Sequence, residues 1–321
     1  MAKTLDCLCV GIVVADMVCH PIEEMPRAGA LTKTESIQFS IGGCSANLGV
    51  DLARLGLNVG LSGRVGSDLF GREVCRLLGD SGVETSLIEV SPTAPTSSTF
   101  VLNVAGEDRR FVHCVGANGE FDGHEITAEQ IREVKAIFIG GFCLMDSLKP
   151  EQAIRLFRLA REHNVKTFLN VVLSENTDTM AWLTGVLPWT DYFFCNNDEA
   201  RRITGELGAV KQVEALRDLG AGTAIVTHGE HGAVLAGEGK LIRSGVYPVT
   251  PVDATGTGDA FTAGFLYGVL RGAPEEECLK FGSAMGASCV RSVGATTGVF
   301  NARELAEFVS KTRLDIENLN E

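Results

Sequence analysis

The segment 253–259, Asp-Ala-Thr-Gly-Thr-Gly-Asp, places glycines beside an acidic residue where an apolar helix begins. The spacing of the following AFTAGFLYGVL predicts that Gly256, Thr257 and Gly258 form a first helical turn, whose amides lack intrahelical acceptors. These amides and the helix dipole favour negative charge, and Asp259 would be a base beside them. Phosphoryl transfer to a hydroxyl requires this combination. Alternatively, the glycines only permit close packing and Asp259 caps the helix.

Two widespread nucleotide-binding motifs do not fit this glycine turn. A Walker A loop needs the pattern G-x-x-x-x-G-K-[ST], which is absent here. A dinucleotide fingerprint needs a glycine three residues after Gly258, where Phe261 stands. An anion at this turn would therefore be bound by a different kind of glycine turn.

The surrounding pattern predicts a parallel sheet covered by helices. From residue 128 onward, helical segments such as PEQAIRLFRLAREHN alternate with apolar strands such as KTFLNVVL and TAIVTHG. The first third contains ALTKTESIQFSIGG and SSTFVLNVAGEDRRFVHCVG, which predict antiparallel strands that form a small flap over the main sheet. The segment GVYPVTPV is also rich in strand-forming residues, and the final DIENLNE is typical of a solvated tail.

Several segments carry a resemblance to a known family. DATGTGDAFTAGFLYG resembles the C-terminal signature of the PfkB (ribokinase-like) carbohydrate kinases, usually written D-T-x-G-A-G-D. In the family's order, GGCSANLGVDLARLG resembles the N-terminal signature, GRVGSDLFGREV the stretch that follows it, NNDE the N-x-x-E motif and VTHGEHGAVL the nucleotide-side motif. The likeness runs from about Asp6 to VRSVGATTG near residue 298 and covers nearly the whole chain.

The resemblance implies an α/β fold, the ribokinase-like three-layer α/β/α sandwich with a mostly parallel central sheet and a small β-rich lid. We expect residues 1–321 to form a single kinase domain, with inserted strands around 13–41 and 97–120 as the lid. Flap strands often pair between subunits in this family, so the resemblance also implies a homodimer through the lid.

The resemblance also implies roles at the glycine turn. Asp259 would be the general base that takes the proton from the acceptor hydroxyl, and the amides from Gly256 to Gly258 would stabilise the transferring phosphoryl group. Two positions depart from the family pattern: Ala254 replaces the usual Thr, and Thr257 replaces the usual Ala or Gly. The β-branched Thr257 is expected to narrow the site while keeping the backbone amide.

The implied nucleotide site uses ATP with Mg2+. Asn196 and Glu199 lie three residues apart, so on a helical turn they share a face and could hold a hydrated magnesium against the phosphates. Thr227 follows a buried strand, at the sheet edge where open α/β sheets bind ligands. The remaining positions implied for the nucleotide are Gly229 and Gly232, and those implied for a monovalent cation such as K+ are Asp253 and Thr255.

The acceptor side is implied by a second group of residues. Asp16 follows the first strand and matches the family aspartate that binds sugar hydroxyls, and a carboxylate can accept from two hydroxyls at once. Gly42 and Gly43, at a strand-to-helix turn, match the substrate-side glycines, and Asn47 matches the asparagine beside them. Asn118 in GAN is a further candidate that also fits a simple turn. Arg109 and Arg110 either reach the pocket or form a solvated pair.

The identity of the acceptor is constrained by departures from relatives. Ribokinases usually carry Lys where Cys44 stands, and kinases of 2-keto-3-deoxygluconate usually carry Tyr-x-Arg where this chain has residues 113–115, His-Cys-Val. Since a buried carboxylate favours a bidentate Arg partner, the loss of that Arg argues against a sugar acid. Asn170 stands where an aspartate is common. A neutral sugar or a nucleoside remains.

Three functions follow from these residues. The first is ATP-dependent phosphorylation of a primary hydroxyl of a neutral sugar. The second is a nucleoside kinase of the adenosine, guanosine or inosine type, for which Phe39, Phe100 and Phe111 could wall a base. The third is a non-catalytic sugar-binding relative, suggested by Thr257 and Asn170.

Composition and charge exclude other classes of partner. The net charge is −13, from 28 basic and 41 acidic residues, and no Lys/Arg cluster marks a nucleic-acid track. No apolar run approaches a membrane span, and the N-terminal segment is more typical of a core strand than of a signal peptide. Ten scattered cysteines without a metal-binding spacing indicate reduced core thiols and a cytoplasmic location.

Overall fold

The computed structural model describes residues 4–107, 110–173 and 178–320. Fifteen strands in this part of the chain are numbered in order: β1 (Leu5–Gly11), β2 (Val14–Cys19), β3 (Ile37–Gly42), β4 (Val59–Gly66), β5 (Val83–Glu84), β6 (Ile88–Ser91), β7 (Ser98–Leu102), β8 (Arg110–Cys114), β9 (Val134–Phe142), β10 (Lys166–Val171), β11 (Tyr192–Asn196), β12 (Thr223–Thr227), β13 (Ala233–Gly237), β14 (Lys240–Ser244) and β15 (Ile316–Asn318).

The helices of the described residues are α1 (Cys44–Arg54), α2 (Leu69–Asp80), α3 (Ala128–Arg132), α4 (Pro150–Glu162), α5 (Thr179–Val186), α6 (Asn197–Thr204), α7 (Ala209–Asp218), α8 (Thr257–Leu270), α9 (Glu275–Cys289) and α10 (Ala302–Lys311). From β9 to β12 the strands alternate with helices, which confirms the alternation predicted after residue 128. None of the described helices is long and apolar enough to cross a membrane.

The central sheet has the order β15-β14-β13-β12-β11-β10-β9-β1-β4-β5, with β6 beside β4. The strands from β12 to β5 pair in parallel, and β13, β14 and β15 extend the sheet in antiparallel fashion. Because parallel strands end at the same edge, the residues that follow β1, β10, β11 and β12 meet there. The ligand edge predicted for Thr227 is therefore shared by several predicted site residues.

Helices cover both faces of this sheet. In β1, Leu8 and Val10 belong to a core with α4 to α7, whereas Cys7 and Cys9 belong to a second core with α1, α2, α8 and α9. All four side chains are fully buried, as expected for a parallel strand covered on both faces. The three-layer α/β/α fold is thus confirmed, and Cys7 and Cys9 share one face of β1.

A second, four-stranded sheet has the order β3-β2-β7-β8. The pairs β2/β3 and β7/β8 are antiparallel, and β2 and β7 pair in parallel. Its strands lie within the segments predicted for the flap, so the separate β-rich sheet is confirmed. Arg109, named as a candidate on its hairpin, lies outside the described residues, and Arg110 pairs with Glu107 on the exposed surface.

Two sequence expectations were wrong. Residues 245–252, which precede the glycine turn, form no strand. Tyr247 of this segment is instead buried in a hydrophobic cluster with side chains of α9 and α10. The C-terminal segment is not a free tail, since β15 pairs with β14 and places Ile316 against both helical cores of that end. In both segments tertiary packing overrode local composition.

Candidate active site

A cavity of about 570 Å³ lies at the carboxyl edge of the central sheet. Its walls come from the ends of β10, β11 and β12, from the starts of α1 and α8, and from β2, β7 and β8 of the small sheet. Eleven of the predicted site residues line it: Asp16, Gly43, Asn47, Asn196, Glu199, Thr227, Thr255, Gly256, Thr257, Gly258 and Asp259. The structure therefore brings most of the predicted site together.

The glycine turn begins α8 as predicted. Gly256 is the N-cap residue with φ 76°, and an added Cβ would lie 2.6 Å from Ala295 Cα, so glycine is required on both counts. Thr257 Oγ1 donates to Ala254 O at 2.9 Å, and this bond holds the threonine side chain against its own turn. A Cβ on Gly258 would meet nothing within 4 Å. Among the described residues no side chain caps the helix; Thr257 N donates to Ala254 O at 3.3 Å, whereas the amides of Gly256 and Gly258 are available to an anion.

Asp259 lies in the first turn of α8 and is 9% exposed. Its Oδ2 accepts a hydrogen bond from Asn47 Nδ2 at 2.9 Å. Burial raises the pKa of Asp259, and hydrogen bonds from Asn47, Cys44 and Asn170 oppose that rise. A largely buried carboxylate that is held by neutral donors can act as a base.

The hydrogen bonds of Asn170 explain why an asparagine stands where an aspartate is common in relatives. Gly141 N donates to Asn170 Oδ1 at 2.7 Å, which fixes the amide orientation and leaves Nδ2 as the atom that donates to Asp259. An aspartate at this position would instead place a second negative charge beside the base. Asn170 and Cys44 both line the cavity, so the positions that depart from relatives are neighbours of Asp259.

Asp16 and Gly43 also line the cavity, and Gly42 packs behind Asp16. A Cβ on Gly42 would lie 2.0 Å from Asp16 Oδ2, so Gly42 makes room for that carboxylate although it does not itself line the cavity. Gly43 is the N-cap of α1 with φ 91°. Burial raises the pKa of Asp16 to about 6, a hydrogen bond from Thr99 opposes the rise, and the charge of Asp259 adds to it. Two carboxylates thus face one cavity.

Asn196 and Glu199 form a reciprocal capping box at the start of α6. Asn196 Oδ1 accepts from Glu199 N at 2.8 Å, and Glu199 Oε2 accepts from Asn196 N at 2.9 Å. Burial raises the pKa of Glu199 to about 7, with a further contribution from the charge of Asp259. The two side chains share one face of the turn, as the spacing predicts, and both line the cavity.

The loop after β12 separates the predicted nucleotide residues. Thr227 lines the cavity, but Gly229 and Gly232 do not. Gly229 and Gly232 have φ values of 52° and 84°, and a Cβ on Gly232 would lie 1.9 Å from Ser244 O. Gly232 therefore allows the loop to pack against the end of β14, which is a shaping role.

Asp253 and Thr255 lie in the loop before α8. Asp253 Oδ1 accepts from Thr255 N at 2.9 Å and from Thr255 Oγ1 at 2.7 Å, and Asp253 Oδ2 accepts from Gly294 N at 2.9 Å. The carboxylate thereby ties the loop before α8 to the loop after α9. The carbonyl oxygens of Thr255 and Ala295 each lie 3.2 Å from Cys289 Sγ, so two backbone oxygens converge near this tie.

Two groups of candidates are not brought into the cavity. Asn118 is 1% exposed, and its amide accepts from Val13 N and donates to Val13 O, both at 3.1 Å, so it holds the backbone between β1 and β2. Phe39 and Phe100 are not among the lining residues: Phe39 packs against Phe70 of α2, and Thr99 and Val101 occupy the cavity side of β7, the strand of Phe100. Phe111 does line the cavity.

Sequence reasoning missed His113 and Thr99 as lining residues. Thr99 Oγ1 and His113 Nδ1 lie 3.0 Å apart across the paired strands β7 and β8. His113 was noted only for the motif that it replaces. The period-two alternation of β8 was the available signal, because it places His113 on the same face as Phe111.

A family model described as pfkB family carbohydrate kinase matches residues 4–303. The chain belongs to the pfkB family of carbohydrate kinases. Among the relatives of this kinase, the 5-dehydro-2-deoxygluconokinase of Clostridium botulinum is 29% identical over 297 residues, 88% of each chain. The nucleoside kinase of Methanothermobacter thermautotrophicus is 26% identical and covers 93% of this chain and 94% of its own.

The fold comparison agrees with the family. The structure of Arabidopsis thaliana ribokinase complexed with ribose and ATP superposes with a TM-score of 0.83 at 24% identity, covering 96% of this chain and 99% of that one. The kinase therefore has the ribokinase fold expected from its motifs. Its cavity lies at the carboxyl edge of the parallel strands, the position at which open α/β sheets bind ligands.

Proposed function

We propose that this carbohydrate kinase transfers the terminal phosphoryl group of ATP to a primary hydroxyl of a neutral sugar, with Asp259 as general base. The observation that carries the proposal is the position of Asp259 in the first turn of α8, which no side chain of the described residues caps, on the wall of a cavity that Asp16 also lines. The amides of Gly256, Thr257 and Gly258 stabilise the transferring group, and Asp16 accepts hydrogen bonds from sugar hydroxyls.

The nucleotide site fits a magnesium complex of ATP. Glu199 Oε2 is used in the capping box, which leaves Oε1 for a hydrated cation. The described residues contain no cluster of three potential metal-ligating side chains. This suits Mg2+, which keeps several waters and takes further ligands from substrate phosphates; when bound, it neutralises charge on the phosphoryl oxygens. Asn196 and Thr227 lie on the same wall and would contact the nucleotide.

A neutral acceptor is supported by the charges of the lining. None of the described residues that line the cavity is Arg or Lys, whereas Asp16, Glu199 and Asp259 are acidic. A carboxylate on the acceptor would meet repulsion without a bidentate partner. The name of the C. botulinum relative indicates a gluconate derivative, so this sugar acid belongs in the same assay as the neutral sugars.

A nucleoside kinase is the second candidate, and one feature favours it. Phe111 lines the cavity with apolar neighbours that include Val14, Val101 and Leu144. A nucleobase could stack on an aromatic ring there. The M. thermautotrophicus relative bears the name nucleoside kinase.

The deciding experiment is a coupled ADP-release assay with Mg2+ and ATP. The acceptors are neutral pentoses and hexoses, 5-dehydro-2-deoxygluconate, adenosine, guanosine and inosine, each with K+ or tetramethylammonium as the monovalent cation. We expect turnover with a neutral sugar, and faster turnover with K+ if the loop held by Asp253 and Thr255 binds it. Turnover with nucleosides alone would establish the second candidate, and ADP release with none of these acceptors would support a non-catalytic relative.

We infer that the chain is a single kinase domain and that the small sheet is its lid. Thr99, Val101, Phe111 and His113 of that sheet line the cavity, so closure of the sheet over the sugar would exclude water from the transfer. A cytoplasmic location is supported by the proposed use of ATP and by free thiols such as those of Cys7, Cys9 and Cys278.

A homodimer through the lid is supported by the outer face of the small sheet. Met17 pairs with Phe100, and Phe100 with Val112, so three apolar side chains form a row across the sheet, whereas Phe39, which pairs with Met17, packs against Phe70 of α2. Val112 is 65% exposed, and all residues of the edge strand β8 are exposed. An exposed apolar edge of this kind favours pairing with a second copy.

A further inference from the structure

A second carboxyl group is buried behind the proposed base. Asp51 lies in α1 and is fully buried, and neither of its carboxyl oxygens has a hydrogen-bond partner among the described residues. Helix α1 packs against α8, which carries Asp259. Asp51 does not line the cavity and has no part in the proposed transfer.

Asn47 connects this carboxyl to the base. It precedes Asp51 by four residues, and side chains at this spacing lie above one another on the same helix face. Helical side chains lean toward the N-terminus, so Asp51 leans toward Asn47. Asn47 Nδ2 donates to Asp259, whereas its buried Oδ1 has no donor among the described residues. Asn47 Oδ1 and the two carboxyl oxygens of Asp51 are therefore acceptors without a donor, among the described residues, on the same face of α1.

The charged and titratable groups around Asp51 do not supply a donor. Arg54 of α1 donates instead to the carbonyl oxygens of Thr296 and Thr297, at 3.4 and 3.5 Å. From α8 the nearby group is Asp259, and from α9 it is the Cys289 thiol, which donates to backbone carbonyls. Burial raises the pKa of Asp51 well above its usual value, the charge of Asp259 adds to the rise, and Arg54 opposes it.

A proton resolves the shortage of donors. An unsatisfied buried polar group destabilises the folded protein, and an unpaired buried charge destabilises it more. We propose that Asp51 is a positioning residue for the base: it carries a proton, donates it in a hydrogen bond to Asn47 Oδ1, and thereby keeps Asn47 Nδ2 on Asp259. A rotated Asn47 amide would turn its oxygen toward the carboxylate of Asp259. The inference rests on the proposed role of Asp259.

The test compares Asp51→Asn with Asp51→Leu. The Asn side chain supplies an N–H donor to Asn47 Oδ1, so we expect turnover within about threefold of wild type, whereas Leu removes the donor and should lower kcat about tenfold, equivalent to about 1.4 kcal/mol. The KM for ATP should not change in either variant. Thr167→Val is the matched control, because Thr167 is buried and hydrogen-bonded to Trp189 and Asp191 far along β10 from the cavity edge.

The pH profile of kcat distinguishes positioning from general destabilisation. The Asn47 bond lowers the pKa of Asp259, so its loss in Asp51→Leu should move the acid limb of kcat to higher pH. Asp51→Asn and Thr167→Val should leave that limb in place, although Thr167→Val lowers Tm. An unmoved limb in Asp51→Leu, or equal losses of kcat in both Asp51 variants, would overturn the proposal.

Unfolding of the apo protein tests the proton independently of catalysis. A carboxyl whose pKa rises on folding stabilises the protein at low pH, and this contribution is lost as pH rises from about 4 through the folded pKa. The Tm of Asp51→Asn relative to wild type should therefore rise with pH, in K+ and in tetramethylammonium alike. A Tm difference that is constant with pH, or one that depends on K+, contradicts a protonated Asp51. This test does not require that Asp51→Leu folds. If the Tm difference does not change with pH while Asp259→Asn is inactive, the role of Asp51 is rejected and the proposed role of Asp259 stands.

Discussion

Asp259 is the residue on which the proposed reaction depends most. We expect Asp259→Asn to lose at least about a thousandfold in kcat, because a positioned base and its charge are removed together. ATP affinity should persist, since the α8 amides and the capping box at Glu199 do not need the carboxylate. Single-turnover kinetics and nucleotide titration measure the two quantities. Asp80→Asn, on the exposed end of α2, is the control, and near-normal turnover of Asp259→Asn would refute the assigned base.

Asp16 predicts a pH dependence of acceptor binding. Its pKa is raised to about 6 by burial, so the ionised carboxylate that accepts sugar hydroxyls is lost as pH falls through 6. We expect the KM for the acceptor to rise below that pH in wild type and to be high at every pH in Asp16→Asn. The KM for ATP, measured in the same series, should stay flat.

The same group makes the opposite contribution to the stability of the apo protein. Because folding raises the pKa of Asp16 from 3.8 to about 6, its stabilising contribution is complete below 3.8 and is lost as pH rises through 6. The Tm of Asp16→Asn relative to wild type should therefore increase between those values and level off above them. A difference independent of pH would show that folding does not raise the pKa of Asp16.

At the scale of elements, the start of α8 decides whether the anion site forms. Gly256→Ala would force a side chain into the left-handed region and against Ala295, at a cost of about 1–3 kcal/mol for the backbone conformation alone. We expect a lower Tm and weaker ATP binding. Thermal unfolding with and without ATP measures both effects.

Gly258→Ala is the matched comparison within the same turn. Gly258 lies inside α8, and an added Cβ meets nothing within 4 Å, so Tm should be unchanged or slightly higher. Equal losses of Tm in the two variants would contradict the assignment of Gly256 as the residue that the turn requires.

At the scale of the whole molecule, the small sheet predicts association. Val112→Glu places a charge in the apolar row formed with Phe100 and Met17, so we expect a dimeric wild type and a monomeric variant in sedimentation velocity. Val252→Glu, which alters a comparably exposed valine outside the small sheet, should not change the mass. A monomeric wild type across micromolar concentrations would rule out a stable dimer through this face.

The sequence by itself determined the features that reside in short contiguous motifs. The glycine turn with Asp259, the capping spacing of Asn196 and Glu199, and the alternation that leads to a parallel sheet are all local, because caps, turns and periodicity depend on residues a few positions apart. The family resemblance added the order of these motifs. Together they predicted the fold, and most of the site residues that they singled out line the cavity.

Only the tertiary structure decided which side chains meet. Asn47 reaches Asp259 across 212 residues of sequence, and Asn118 is used by Val13 across 105, so no local pattern could assign either partner. Phe39 and Phe100 likewise do not line the cavity, because the pairing of the strands in the small sheet places both side chains elsewhere. Packing of α1 against α8 buried Asp51 without a donor, because the environment of a side chain is set by the elements that close around it.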